Sequence, residues 1–296
     1  MNEPFDEQII LNDLRWVTQA PSLLKPHIQI WPSHQFDADS LIANISEQQI
    51  QALIDARQRK LGGYFEQLVF TLFSLNDEYQ VLAFNQVIDH QGRTLGEMDL
   101  LLEHSGGDII HLELALKFYL WAESTRPSEL NWVGAGLTDF FALKLARLAH
   151  HQLRLPNLAI ANGSWPKLPK PNRSMLWIPG RLYLPKNKRL CQTETQFTDA
   201  PWQINPEALT SYWSETTQPK PYLALVKGDW LQGVPTHAER AMRRFQLPMQ
   251  FAQANHAPIF ILPNNWQNDA TTVIDNKQSS YDTLTNKQNR SARPIQ

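Results

Sequence analysis

Apolar residues recur at helical spacing from Ile50 onward: Ile50, Leu53, Ile54, Leu61, Tyr64, Phe65, Leu68, Val69, Leu72 and Phe73. Positions three and four apart share a helix face. The pattern therefore predicts a helical segment that starts after Ser46, with Gln48 and Gln49 as start signals, and that divides or packs closely at Gly62 and Gly63. The period then changes to two. Tyr79 to Val87, Gly96 to Glu103 and Ile109 to Leu120 read as three strands joined by the turn sequences HQGR and HSGGD. In the third, Ile110, Leu112, Leu114, Leu116, Phe118 and Leu120 fall on one face, and His111, Glu113, Ala115, Lys117 and Tyr119 on the other. One face is core, and the other carries a carboxylate and an ammonium four residues apart.

Around this helix and meander the pattern is less regular. Pro4, Pro21, Pro26 and Pro32 predict an irregular lead-in over residues 1–45 with at most a short helix from Glu7 to Trp16. A second amphipathic segment is predicted from Leu137 to Leu153, offering Phe140, Phe141, Leu143, Leu145 and Leu148 to a core. Short strands are expected at Leu158–Ala161, Ser174–Leu184, Tyr222–Lys227 and Ala257–Leu262, and PTHAERAMRRF reads as a helix with Thr236 and Glu239 in capping-box spacing. The Asn-, Gln-, Ser- and Thr-rich stretch 265–296 is expected to be a disordered tail. A domain over residues 46–264 follows, with residues 46–153 as its core.

Composition adds limits. The 296 residues, 42% of them hydrophobic, can bury a substantial core. An acidic start without a signal-peptide pattern, and no apolar run of membrane-spanning length, lead us to expect a cytoplasmic chain with no membrane partner. Cys191 is the only cysteine, which excludes intramolecular disulfides and cysteine-rich zinc sites, and a lone thiol reads as structural rather than nucleophilic. The net charge of −2 conceals an asymmetry: residues 1–139 hold 8 Lys/Arg and 20 Asp/Glu, residues 140–193 hold 10 and none, and residues 194–296 hold 9 and 9. The basic stretch is either the footprint of a polyanion such as nucleic acid or a counterweight to the acidic first part.

The strand GEMDLLLE completes the chemical picture. Met98, Leu100 and Leu102 match a core face, while Glu97, Asp99 and Glu103 share the opposite one. Opposed residues of antiparallel neighbours lie about 4.5 to 5.5 Å apart at Cβ, so Asp99 and Glu113 can hold one cation if the register brings them together. Oxygen ligands of this kind suit Mg2+ or Mn2+, and Lys117, on the face of Glu113, could stabilise charge on a phosphodiester or assist water beside the ion. The alternative is that Glu113 and Lys117 are ordinary partners on the wet side of a sheet.

A helix with a glutamate, a strand with Asp, a strand with Glu followed by Lys, and a further helix resemble the catalytic core of the PD-(D/E)XK, or restriction-endonuclease-like, nuclease superfamily over Ser46 to Leu153. Within it, LGGYFEQL, GEMDLLLE and HLELALKFYL look most like a bacterial family designated only as a domain of unknown function. The resemblance implies an α/β fold with a mixed sheet flanked by helices, and Mg2+- or Mn2+-dependent cleavage of nucleic acid. It would make Asp99 and Glu113 the metal ligands, Lys117 the lysine, and Glu66 the helix glutamate. The superfamily places its lysine two residues after the acid, where this chain has Ala115; Lys117 keeps the parity but begins roughly 7 Å farther along the strand. A catalytically inactive module that binds nucleic acid or a protein partner is the alternative implied.

Other residues have two readings each. Lys144, Arg147, His151 and Arg154 could form a basic stripe for phosphate on one helix face, aided by Gly134 and Gly136 ahead of it, or a solvated face. His111 is a metal ligand or proton carrier, or a hydrogen-bonded bystander. His237 has no evident partner. Trp121, Trp132, Trp165 and Trp177 could stack on bases or belong to the core.

Overall fold

The Ser46 hydroxyl accepts a hydrogen bond from the Gln49 backbone N–H at 3.3 Å, and the Gln49 side chain accepts one from the Ser46 N–H at 2.9 Å. This reciprocal cap satisfies two donors that a helix start leaves open. The computed structural model describes residues 4–291 except 33, 127, 187, 191, 216–221, 237–240, 243–246 and 254–255. In it the cap opens the third of the leading helices α1 (Pro4–Gln19), α2 (Ala38–Ile42), α3 (Glu47–Arg57) and α4 (Leu61–Ser74). The glycines expected to break this region lie inside the first turn of α4. The lead-in is more regular than expected, because Ile10, Leu14 and Val17 form a stripe that packs α1 into the same core as Tyr64, Phe65, Leu68 and Leu72 of α4.

Strands β1 (Tyr79–His90), β2 (Arg93–His104) and β3 (Ile109–Leu114) form the predicted antiparallel meander. The β1–β2 turn needs two successive left-handed residues, Gln91 at φ +50° and Gly92 at φ +77°, which suits a tight hairpin. Alternation along β2 breaks where Asn85, across the ribbon in β1, also takes φ +50°. Leu100 and Leu102 face α4, but Met98, expected beside them, packs with Ile88, Leu101, Leu155 and Ala159.

The run expected to be one strand from Ile109 to Leu120 is two. After β3 the chain leaves the first sheet at Ala115 and Leu116 and enters a second as β4 (Lys117–Trp121). Strand β5 (Trp132–Val133) and helices α5 (Phe141–His150) and α6 (Leu155–Ala161) follow. The stretch Leu158–Ala161 is thus helical rather than extended, its helix opening with Pro156 where proline is well tolerated. Strands β6 (Arg173–Trp177) and β7 (Gly180–Pro185) then repeat the transfer in parallel: β6 pairs with β3, and β7 with β4. Across the seam the Ala115 N–H donates to Trp177 O at 2.9 Å and the Lys117 N–H to Pro179 O at 3.2 Å. The two chains approach so closely that a Cβ on Gly180 would lie 1.8 Å from Lys117 O.

Strands β8 (Thr210–Glu215), β9 (Tyr222–Ala224), β10 (Ala241–Met242), β11 (Met249–Gln253) and β12 (His256–Leu262) complete the second sheet, ordered β10-β9-β11-β12-β8-β7-β4-β5; the first is ordered β1-β2-β3-β6. Both mix parallel and antiparallel pairs, and helices cover them, so the fold is a mixed α/β architecture. The segment 222–227 is extended only to Ala224 before a 3-10 turn at Lys227–Trp230. Of the helix expected over Pro235–Phe245, Ala241–Met242 is strand, and residues 237–240 and 243–245 lie outside the described residues, as does Cys191. The expected disordered tail begins instead as α7 (Trp266–Ser291), which buries Trp266, Ala270 and Ile274 at four-residue spacing. No helix among the described residues is long and apolar enough to cross a membrane.

Gly180 should therefore resist replacement. Gly180→Ala is expected to lower unfolding free energy by about 3 kcal/mol or more, measured by urea denaturation, because its clash is with backbone rather than a side chain that can move.

Candidate functional site

Leu100 opposes Leu112 and Leu101 opposes His111 in the β2–β3 ladder, so the same register continued by one residue sets Asp99 against Glu113. Here the backbone pairing gives way to a side chain: the Leu114 N–H donates to Asp99 Oδ2 at 2.7 Å. The face of β3 read as polar is not wet. β3 lies between β2 and β6, and His111 and Glu113 are 0% and 2% exposed. Burial of that kind requires partners, and they are present. His111 Nε2 lies 2.9 Å from Glu113 Oε1, Gln152 Nε2 donates to Glu113 Oε2 at 3.1 Å, and His111 Nδ1 lies 3.2 Å from Ser174 Oγ on β6. His111 thus holds Glu113, and the carboxylate it faces assigns a hydrogen to Nε2.

Neighbouring carboxylates hold back the ionisation of Asp99 and Glu66. Burial, followed by the charge of Glu113 and then that of Glu66, raises Asp99 from 3.8 to about 8, against the opposing pull of the Leu114 N–H and Lys144. Burial also raises Glu66 on α4, with the charges of Glu97 and Glu113 adding to it and a hydrogen bond with Asn85 opposing it. Glu66, Glu97, Asp99 and Glu113 therefore form one coupled acidic cluster drawn from α4, β2 and β3. Glu103, placed with them by parity, pairs with Gln80 and Ile109 at the far end of β2, roughly 13 Å along the strand from Asp99.

The Lys117 amine is held by a different carboxylate. Its Nζ lies 2.9 Å from Asp139 Oδ2, which also accepts the Tyr119 hydroxyl at 3.0 Å. Lys144, in the first turn of α5, is half-buried, and its amine makes no hydrogen bond or ion pair among the described residues. Burial lowers its pKa, as do the charges of Lys117 and Arg147, while Glu113 and Asp139 oppose the change. The four basic residues expected on one helix face are divided. Lys144 and Arg147 belong to α5, His151 follows its end and bonds the Gln152 side chain at 2.9 Å, and Arg154 is exposed on a 3-10 turn. Gly134 and Gly136 do not abut the start of α5; the Gly134 N–H donates to Asp139 O at 2.7 Å, closing the loop before it. Trp121, Trp132 and Trp177 are core residues, unable to stack on bases, and Trp165 packs beside α6.

Asn85, Asp139 and Gln152 did not stand out in the sequence. Each acts through a fold-dependent contact, and a positive φ at an asparagine within a strand is visible only in the structure. Among the described residues no group of three or more His, Cys, Asp or Glu is placed to hold a metal ion, so the cluster offers an ion fewer than three protein ligands of these types.

A family model described as a domain of unknown function, DUF1853, matches residues 12–269. The chain belongs to the DUF1853 family. No curated protein and no solved structure matches it. The DUF1853 match contains every residue of the acidic cluster, both lysines, and the whole of β1 through β12.

The raised Asp99 value carries a stability signature. The folded state binds this proton more tightly than the unfolded chain, so the contribution is complete below about pH 4 and is lost as pH rises toward 8. Asp99→Asn, which keeps an acceptor for the Leu114 N–H, should flatten that dependence. We expect it to make the metal-free protein more stable than wild type at pH 8, by about 1–3 kcal/mol in urea denaturation.

Proposed function

We propose that this cluster is a divalent-cation site for hydrolysis of phosphodiesters in nucleic acid, carried on a restriction-endonuclease-like core. The observation that supports the reading best is the register that sets Asp99 against the buried Glu113, whose charge adds to burial in holding Asp99 protonated. A cation would relieve that repulsion. Hard carboxylate oxygens fit Mg2+ or Mn2+, which commonly take one or two protein carboxylates and leave their other positions to water and phosphate. When bound, the ion would supply positive charge to the phosphate and make nearby water more acidic.

The remaining roles belong to the chain. Asp99 and Glu113 would be the ligands, with His111 and Gln152 fixing the angle of Glu113 as outer partners do at metal sites. Glu66, tied to Asn85, would orient water from the α4 side. Lys117 would keep a positive charge at the border of the cluster with its amine on Asp139. Exposed Arg147, Arg154, Lys167 and Lys170 suit contact with a phosphate backbone. The order of α4 with Glu66, β2 with Asp99, β3 with Glu113, and α5 also follows the arrangement that the PD-(D/E)XK resemblance implies.

A non-catalytic nucleic-acid-binding module is the second reading. It is favoured by Ala115 at the usual lysine position and by the engagement of both Glu113 oxygens by protein donors. The two readings part on one experiment. Purified protein incubated with DNA and with RNA in Mg2+ or Mn2+ should cleave at least one of them, and Asp99→Ala and Glu113→Ala should each reduce the rate by at least about 100-fold. Cleavage that persists in both variants overturns the site. Binding that survives EDTA and weakens steeply with salt, with no cleavage, establishes the second reading.

A further inference from the structure

The amine expected beside the acids is missing from β3 for a structural reason. Ala115 is buried at the point where the chain changes sheets, with its N–H bound to Trp177 O. The next lysine, Lys117, starts beyond the seam and is held by Asp139. A different lysine lies on the helix that follows the seam. Helix α5 buries Phe141, Leu145 and Leu148, and Lys144 completes their i, i+3, i+4, i+7 series, so a cation lies in the stripe that faces the protein. Such a stripe normally excludes charge, because burying an ammonium without a partner is costly.

Two anchors bracket this residue. Ahead of it, Asp139 receives Lys117 and Tyr119, and the Phe141 ring stacks on Tyr119 with centroids 4.6 Å apart. Behind it, Gln152 reaches Glu113 Oε2. The intervening helix is therefore fixed against both the Lys117 side and the Glu113 side of the site. The fields agree, since the charge of Lys144 acts on Asp99, and those of Glu113 and Asp139 act on Lys144.

We propose that Lys144 is the ammonium that contacts the scissile phosphate beside the Asp99–Glu113 site, donating hydrogen bonds to a non-bridging oxygen as negative charge grows there, while Lys117 is a positioning residue that fixes Asp139 and the entry to α5. This role rests on the hydrolytic reading above. It requires no proton transfer from Lys144: water oxygen forms the new bond to phosphorus and its proton is lost to solvent, the bond to the leaving oxygen breaks with the electron pair staying on that oxygen, which takes a proton from solvent, and the ammonium only stabilises the charge.

The test compares Lys144→Met, Lys144→Arg and Lys117→Met, each checked for a cooperative thermal transition. Mn2+ titrated calorimetrically into nucleic-acid-free protein should bind Lys144→Met roughly 3- to 10-fold more tightly than wild type, because a like charge beside the carboxylates is gone. Lys117→Met should stay within about twofold, because its amine is held on half-exposed Asp139, and Lys144, not Lys117, is the cation that acts on Asp99. Against DNA or RNA, Lys144→Met should lower kcat by at least about 100-fold with KM within about threefold, and Lys144→Arg should recover part of that loss. Unchanged Mn2+ affinity in Lys144→Met overturns the placement. Wild-type cleavage that survives Lys144→Met but is abolished by Lys117→Met overturns the role while leaving the nuclease reading intact. A wild type that cleaves nothing in either metal overturns the hydrolytic reading and this role with it.

Discussion

Two parallel chain segments change sheets side by side, and the close approach of Gly180 to the Lys117 carbonyl is the contact on which that arrangement turns. A side chain at residue 180 would force β4 and β7 apart, and with them the seam below. Because β3 and β6 remain paired up to the seam, β3 is an interior strand, and Glu113 is buried near its C-terminal end. Because β4 begins beyond the seam, Lys117 is carried toward Asp139. Strand ends at which neighbouring connections diverge are natural sites for ligands. The acidic cluster sits at such an end, with α4 on one side and α5 on the other.

A buried cluster of acids opposes folding unless its members are hydrogen-bonded or protonated. Glu113 is met by His111 and Gln152, and Asp99 by the Leu114 N–H. These contacts offset only part of the cost, since Asp99 still retains its proton to about pH 8. A different buried network does contain a cation, although burial still raises Asp13 within it. Arg57 reaches Asp229 at 2.8 Å and Asp13 at 3.4 Å, and Asp13 also accepts the Tyr64 hydroxyl at 2.8 Å. There a guanidinium and two acids join α1, α3 and α4 to the turn at Lys227–Trp230 and serve the fold. Among the described residues no Lys or Arg is ion-paired with the acids at the seam, and perturbed groups in that condition mark a candidate functional site.

Much of the first sheet was legible. The Ser46 cap, the α4 stripe, the HQGR hairpin and the opposition of Asp99 and Glu113 follow from local spacing, and each depends on residues close in sequence or on one simple register. The division of Ile109–Leu120 was not legible, because an alternating run reads the same whether it stays in one sheet or moves to another; the deciding residue, Gly180, is over sixty positions away. The α6 stretch LPNLAIA is too short for period to separate helix from strand. Helix α7 hides its apolar anchors among polar residues. Lys144 is the instructive case. Its place in the Phe141–Leu145–Leu148 stripe was available from spacing, but its spacing to Arg147, His151 and Arg154 fits one helix face equally well, and only the end of α5 before His151 separates the two.

An ammonium carried on a helix makes the site depend on both sheets. The carboxylates are positioned by the first sheet, through the β2–β3 register and the His111–Ser174 contact across to β6. The start of α5 is positioned by the second, through Tyr119 stacking on Phe141 and the Lys117–Asp139 pair on β4. Helix α7 adds a further constraint, since Trp266 Nε1 donates to Ala135 O at 2.8 Å in the loop that leads to α5. A strand lysine two residues after the acid would be held by the strand that carries Glu113; Lys144 is held instead by a helix whose start is anchored to the second sheet. The close Gly180 crossing is thus the contact that fixes how the two separately held sets of charges stand to one another.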